Sequence, residues 1–404
     1  MTTAARRVVL QLAVVFAVLV TSGWVAHGGS PPPDAYSVQL GAWRKETVEG
    51  AALPDPRAPA DEIAGFFSGL SGFQQLALAR DYPLVVGNLN GAPVELRYTA
   101  NSYALAQAEA EERTRLDNKR LTSAGRRAVN RRANRYASLR RPHRQILAFD
   151  PDGRGRAAEV LGDLHRAERI TVIVPGIDND LLNFERTALK WSAPVGMATA
   201  LYREQRKAAP EVPTAVIAWG DYVTPNGMSV AAATAELAEA GAERLTGLLA
   251  GLPGDARTTL ICHSYGSVVC GMAADELPDR VSDIVAVASP GMRASSAAAL
   301  DTTARVWATR APDDWIADVP NLSVGPLGHG IDPVSPQFGA LLLSSERVSG
   351  HAGYFEPGTD SLAAFARVGT GRLGELGWFT DAARCRFRPE GTGGPAGGGA
   401  ALAY

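Results

Sequence analysis

The chain has 404 residues and a formal charge of −2, from 40 basic and 42 acidic side chains, which excludes a globally basic nucleic-acid binder and a highly charged tail. With 46% hydrophobic residues it has apolar mass for one large core, as a single decorated domain or two domains, so disorder throughout is excluded. Its 42 glycines and 26 prolines point to many turns rather than long coiled helices.

In chain order, Arg6 and Arg7 precede the apolar run from Val8 to Val20, the positive-then-apolar order that a translocon reads as an export signal. Two readings stay open for residues 1–27. One is a cleaved signal peptide, with Thr21 and Gly23 at the small-residue positions; the other is a membrane anchor extended through Trp24, Val25 and Ala26. Either puts the rest of the chain outside the cytoplasm, secreted or held at the cell membrane facing outward. Residues 28–60 read as a linker opening on GGSPPP, and residues 389–404 as a disordered glycine-rich tail.

Residues 61–145 predict a helical extension rich in Ala, Leu, Gln, Glu and Arg, interrupted at YPLVVGNLNGAPVEL. Between Glu111 and Arg144, twelve Lys or Arg stand against three Asp or Glu. Arg127, Arg131 and Arg135 fall four apart on one helical face while Val129, Tyr136 and Leu139 share another. The basic helix 113–144 therefore reads as a solvated face, with peripheral contact to an anionic membrane as the sharper alternative.

Across residues 146–388 the texture changes. Short β-branched runs alternate with Ala-rich helical stretches: RITVIVPG (169–176), PTAVIAWG (213–220), RTTLICHS (257–264), DIVAVASPG (283–291), RVWATRAP (305–312) and SERVSGH (345–351). Continuous apolar runs separated by helices are what a parallel sheet covered on both faces requires, so the fold class is α/β with a doubly wound, mostly parallel sheet. The stretch with Leu237, Leu245 and Leu248 is a crossover helix packed on that sheet.

The third run ends in Cys262-His263-Ser264-Tyr265-Gly266 and passes directly into a helical start. A serine on a tight strand-to-helix turn between small residues is a nucleophile elbow, which makes Ser264 the candidate nucleophile. Cys262 stands where the G-x-S-x-G pattern has its first glycine. A serine needs a nearby base, and the imidazole needs an acceptor on its other nitrogen. His351, after the last run, is the candidate base, with His329 in GPLGHGIDP as the alternative. Asp314 is the candidate acid, with Asp313 as the alternative. The N–H groups of Tyr265 and Ile177 are the candidate oxyanion donors, since Pro175 has no N–H and Gly176 lets substrate approach the backbone. His263 is expected to point away from the nucleophile and to pack or hydrogen-bond locally.

The three cysteines, Cys262, Cys270 and Cys385, are too few for a disulfide scaffold or a paired-ligand zinc site. A strand end and a position more than a turn into the next helix put Cys262 and Cys270 too far apart to bridge. No metal and no organic cofactor is expected.

The pieces FFSGLSGFQQLAL, YPLVVGNLNGAPVELRYTAN, ILAFDPDGRGRAAEVLGDL, VIVPGID, HSYGS, ASPG and HAGYF, spread from Phe66 to Val368, resemble a family of α/β-hydrolases of uncharacterised activity. The resemblance implies an α/β-hydrolase fold with an N-terminal helical extension. It supplies no substrate, because one fold hosts many chemistries. The combined expectation is a serine hydrolase that cleaves a small-molecule or lipid carboxylic ester through an acyl-enzyme. The alternatives are an acyltransferase on the same triad or a catalytically silent interaction protein. Nothing in the sequence sets the oligomeric state.

Overall fold

Prolines and glycines cut the N-terminal helical sequence into short pieces. The computed structural model describes residues 34–376 apart from 322, 324 and 326; the export segment, the GGSPPP stretch, the C-terminal tail and Cys385 lie outside the described residues. The pieces are α1 (Ala35–Trp43), the hairpin β1 (Thr47–Val48) and β2 (Ala51–Ala52), α2 (Ala60–Ser68), α3 (Gly72–Asp81), α4 (Pro83–Gly87), α5 (Val94–Arg115) and α6 (Ser123–Leu139). Pro59, Pro83 and Pro93 stand at helix starts, where a missing N–H costs nothing. Ser71 and Gln74 close a capping box on α3. Trp43, Ile63, Phe67, Leu78 and Val86 form a small core of their own. From Ala35 onward the span expected as a linker is therefore folded: Trp43 is fully buried and its indole N–H donates to the Pro54 carbonyl at 2.8 Å. Its short helix and two-residue strands were too brief for periodicity to register.

The basic segment also differs from expectation. It is the end of α5, a loop, α6 and the lead into β3 rather than one helix. Most of its arginines meet the protein's own carboxylates: Arg113 and Arg140 reach Glu109, Arg115 and Arg132 reach Glu112, Arg135 reaches Glu185, and Arg144 reaches Glu159 and Glu185. Some of these acids lie far along the chain, beyond any local charge count. Arg127, Arg131 and Arg141 remain exposed.

The β-branched runs form one eight-stranded sheet in the order β10-β9-β8-β7-β5-β6-β4-β3. Its strands are β3 (Gln145–Asp150), β4 (Arg156–Leu161), β5 (Arg169–Val174), β6 (Thr214–Gly220), β7 (Arg257–His263), β8 (Val281–Val287), β9 (Arg305–Thr309) and β10 (Leu341–Leu342). All neighbours pair in parallel except β4, which runs antiparallel to both β3 and β6. The connecting helices are α7 (Pro194–Ala208), α8 (Val230–Ala233), α9 (Glu236–Ala250) and α10 (Gly266–Ala273), followed at the end by α11 (Asp360–Thr370). Alternation along each strand feeds two cores. Leu260 and Cys262 face Leu245, Leu248 and Val268 of α9 and α10, while Ile261 shares the other face with Leu201 of α7 and Phe365 of α11. Leu105 of α5 and Tyr136 and Leu139 of α6 join this second core against Phe149 of β3, so the helical extension buries one flank of the sheet.

The run SERVSGH is not a strand; the final strand is β10, a few residues earlier. The reason is a side chain. Asp360, at the start of α11, accepts from the backbone N–H of Glu346 at 2.9 Å and of Arg347 at 3.2 Å, and from the Ser344 hydroxyl. N–H groups satisfied by a carboxylate have no need of a ladder. The loop that results carries His351. Among the described residues no helix is long and apolar enough to cross a membrane.

Candidate active site

The turn between β7 and α10 is tight because glycine stands where it must. A Cβ on Gly266 would meet the Val174 carbonyl oxygen at 2.3 Å, so the helix start lies directly against the end of β5. Ser264 takes the left-handed conformation, with φ of 55°, which an L-residue keeps only where its surroundings over-determine it. Its N–H donates to the Val287 carbonyl at 2.8 Å, and its own carbonyl accepts from the Ser267 N–H at 2.9 Å and the Ser267 hydroxyl at 2.6 Å. Ser289, in the ASPG stretch after β8, shares a 2.6 Å hydrogen bond with Ser267.

The loop after β5 lies against Ser264. A Cβ on Gly176 would stand 2.7 Å from Ser264 Cβ and 3.1 Å from its Oγ. Next to it, the Ile177 N–H has no acceptor among the described residues, and neither has the Tyr265 N–H. Two unpaired backbone donors beside a serine are the arrangement that could hold an oxyanion. Asp178 sits in a turn and Asp180 in the loop that follows it. Asp178 accepts from the Gly227 N–H at 2.9 Å, and Asp180 accepts from the Asn183 N–H and pairs with Arg154.

His351 and Asp314 meet. His351 Nδ1 lies 2.9 Å and 3.1 Å from the two Asp314 oxygens, and the Asp314 side chain is fully buried. Asp314 also accepts from the Ile316 N–H at 2.9 Å and the Tyr354 hydroxyl at 2.7 Å. Burial alone would push its carboxyl up, but the hydrogen bonds from His351, Ile316 and Tyr354 outweigh it and hold the group below the usual carboxylate value. Asp313, one residue earlier, takes the neighbouring backbone: it accepts from the Gly350 N–H at 2.9 Å and the Ser349 hydroxyl at 3.1 Å. The first aspartate therefore fixes the loop and the second meets the imidazole it carries. Nδ1 on the carboxylate leaves His351 Nε2 for the serine. Ser264 Oγ and His351 Nε2 share no direct hydrogen bond, as is common before substrate binds.

His263 does not pack locally. Its Nε2 donates to the His351 carbonyl at 2.9 Å, and the two rings lie 4.9 Å apart. Burial drives its pKa down to about 3, with the nearby His351 adding to the effect, so His263 is a neutral donor. It ties the residue before the nucleophile to the loop of the base. His329 is buried against Tyr265, with Nε2 on the Ala232 carbonyl at 2.7 Å, and meets no carboxylate. Trp315 is 41% exposed and lies 4.6 Å from the His351 ring.

Cys262 and Cys270 form a disulfide, contrary to the spacing argument. Spacing along the chain measures the separation only for a helix that runs on from the strand. Here α10 begins at Gly266 and folds back over β7, bringing the two Cα atoms to 6.4 Å. The supporting roles of His263, Ser267, Ser289 and Tyr354 escaped the sequence reading, although all four lie within HSYGS, ASPG and HAGYF.

Residues 150–324 match the sequence model of a family described as alpha/beta hydrolase. Two uncharacterized proteins of Mycobacterium tuberculosis, from two strains, are each 28% identical over 80% of this chain, which spans 57% of their length. Among solved structures, a predicted CIB-like hydrolase from Thermoplasma acidophilum is 18% identical with a TM-score of 0.34, covering 58% of this chain and 98% of that one. A dienelactone hydrolase from Anabaena variabilis is 15% identical with a TM-score of 0.35, covering 54% and 91%.

Proposed function

From the premise that this chain carries an α/β-hydrolase domain, we propose that it is a serine hydrolase cleaving a carboxylic ester. Ser264 attacks the carbonyl, His351 accepts its proton and returns it to the leaving alcohol, and Asp314 orients the imidazole and balances the imidazolium. The N–H groups of Ile177 and Tyr265 hold the oxyanion, and water then releases the acid from the acyl-enzyme. The observation that carries this reading is the buried Asp314 on His351 Nδ1 at 2.9 Å, on a loop that His263 ties to the strand of Ser264. The arrangement leaves one imidazole nitrogen free, in the tautomer a general base needs. A disulfide persists in oxidising surroundings, and the Cys262–Cys270 bridge supports the companion reading that the chain acts outside the cytoplasm.

The test is covalent labelling by a fluorophosphonate probe, with the modified peptide identified by mass spectrometry. Labelling of Ser264 in the native protein, and none in Ser264→Ala, is the expected result. A folded protein that stays unlabelled overturns the reading. A p-nitrophenyl ester series of increasing acyl length then ranks substrates.

A further inference from the structure

The Cys262–Cys270 bridge encloses Ser264. The nucleophile lies inside a covalent ring that begins on the last turn of β7 and ends in α10, and both cysteines are fully buried in one core. Cys262 occupies the position where the elbow pattern has glycine, the residue that lets a strand and the helix folding back over it come close. A side chain is accommodated there because its sulfur is bonded to the helix. Two bonded sulfurs share a contact that two thiols would each fill with a separate van der Waals shell.

The other restraints on Ser264 are hydrogen bonds, from its N–H to Val287 and from Ser267 to its carbonyl. The bridge is the covalent restraint on a residue held in a left-handed conformation. Opening it in a packed core leaves two thiols without room, and relief comes from moving α10 away from β7. That movement carries Ser264, Ser267 and the Tyr265 N–H with it.

We propose that the oxidation state of Cys262 and Cys270 controls the presentation of the nucleophile: the bridged protein is competent and the dithiol form is impaired. The inference rests on the reading of Ser264 as nucleophile. The opening step is a two-electron exchange. A dithiol reductant attacks one sulfur, the S–S bond breaks, a second attack closes the reductant to its own cyclic disulfide, and two protein thiols remain.

The experiment measures fluorophosphonate labelling of Ser264 and ester turnover in the full chain, before and after dithiothreitol, with thiol titration confirming a gain of two thiols. The expected result is labelling at least tenfold slower in the dithiol form. kcat falls with KM unchanged, far-UV circular dichroism is preserved, and the rate recovers on reoxidation with oxidised glutathione. Cys262→Val combined with Cys270→Val replaces the bridge by two unbonded side chains at least as bulky as thiols, carries the same test without reductant access to a buried bridge, and is expected to match the dithiol form. Labelling within twofold of the bridged protein in either sample overturns the proposal. Absence of labelling in the bridged protein overturns the serine-hydrolase reading instead, and this proposal with it.

Discussion

Two adjacent aspartates divide one task, and their separation is testable. Asp314→Asn keeps the shape but removes the charge facing His351, and is expected to lower kcat by about three to four orders of magnitude. Asp313→Asn weakens only the contacts to Ser349 and Gly350, and should cost no more than roughly tenfold; steady-state ester kinetics of both variants check this. Tyr354→Phe strips a donor from Asp314, for an expected loss of about tenfold in kcat with KM unchanged. Gly176→Ala presses a methyl group onto Ser264, and about a hundredfold slower labelling with an unchanged circular dichroism spectrum is expected. His263 supplies a pH signature. Its folded pKa of about 3 lies below its ordinary 6.5, so the unfolded chain binds this proton first as pH falls. Stability is therefore fully present above 6.5 and declines between 6.5 and about 3, with a slope approaching ~1.4 kcal/mol per pH unit from this residue. His263→Gln should lose less of its urea midpoint between pH 7 and pH 4.5 than the parent protein does.

Ion pairs join many of the elements, and one buried group of them fastens the lead into β3 to the sheet and to Glu185. Arg144, just before β3, bonds Glu159 of β4 through Nε at 2.7 Å and Glu185 through its terminal nitrogen at 2.8 Å. Its side chain is only 6% exposed. Removing one member of a buried pair leaves the other charge uncompensated, so Arg144→Ala is expected to destabilise the protein by ~3–5 kcal/mol in urea unfolding, whereas Arg144→Met combined with Glu159→Met should cost less. The same contacts explain why the basic segment misled the sequence reading. A count of Arg along residues 111–144 registers charge but not the carboxylates that tertiary folding brings to it. The false strand at SERVSGH has the same origin, since Asp360 captures its N–H groups from a helix start further along the chain.

At the scale of the whole molecule, the exposed side chains Lys119, Arg120, Arg126, Arg127, Arg131 and Arg141, without a carboxylate partner among the described residues, are the basis for attraction to an anionic surface. Each contributes ~1 kcal/mol near a charged bilayer. A chain starting at Asp34 should accordingly cosediment with phosphatidylserine vesicles at low salt and not in high salt. The central strands and the elbow were legible because their signals are local: continuous apolar runs suit a sheet covered on both faces, and a serine between strand and helix with glycine at residue 266 fits a single kind of turn. That Asp314 and His351 emerge together after later strands was legible as well, because strand order restricts where later residues can emerge. Tertiary structure alone decided that Asp313 binds the loop and Asp314 the imidazole, that His263 reaches His351, that β3 and β4 extend the sheet, and that Cys262 meets Cys270. Each of these depends on how far a chain reversal brings two positions together, and residue spacing carries that distance only when the turn between them is already known.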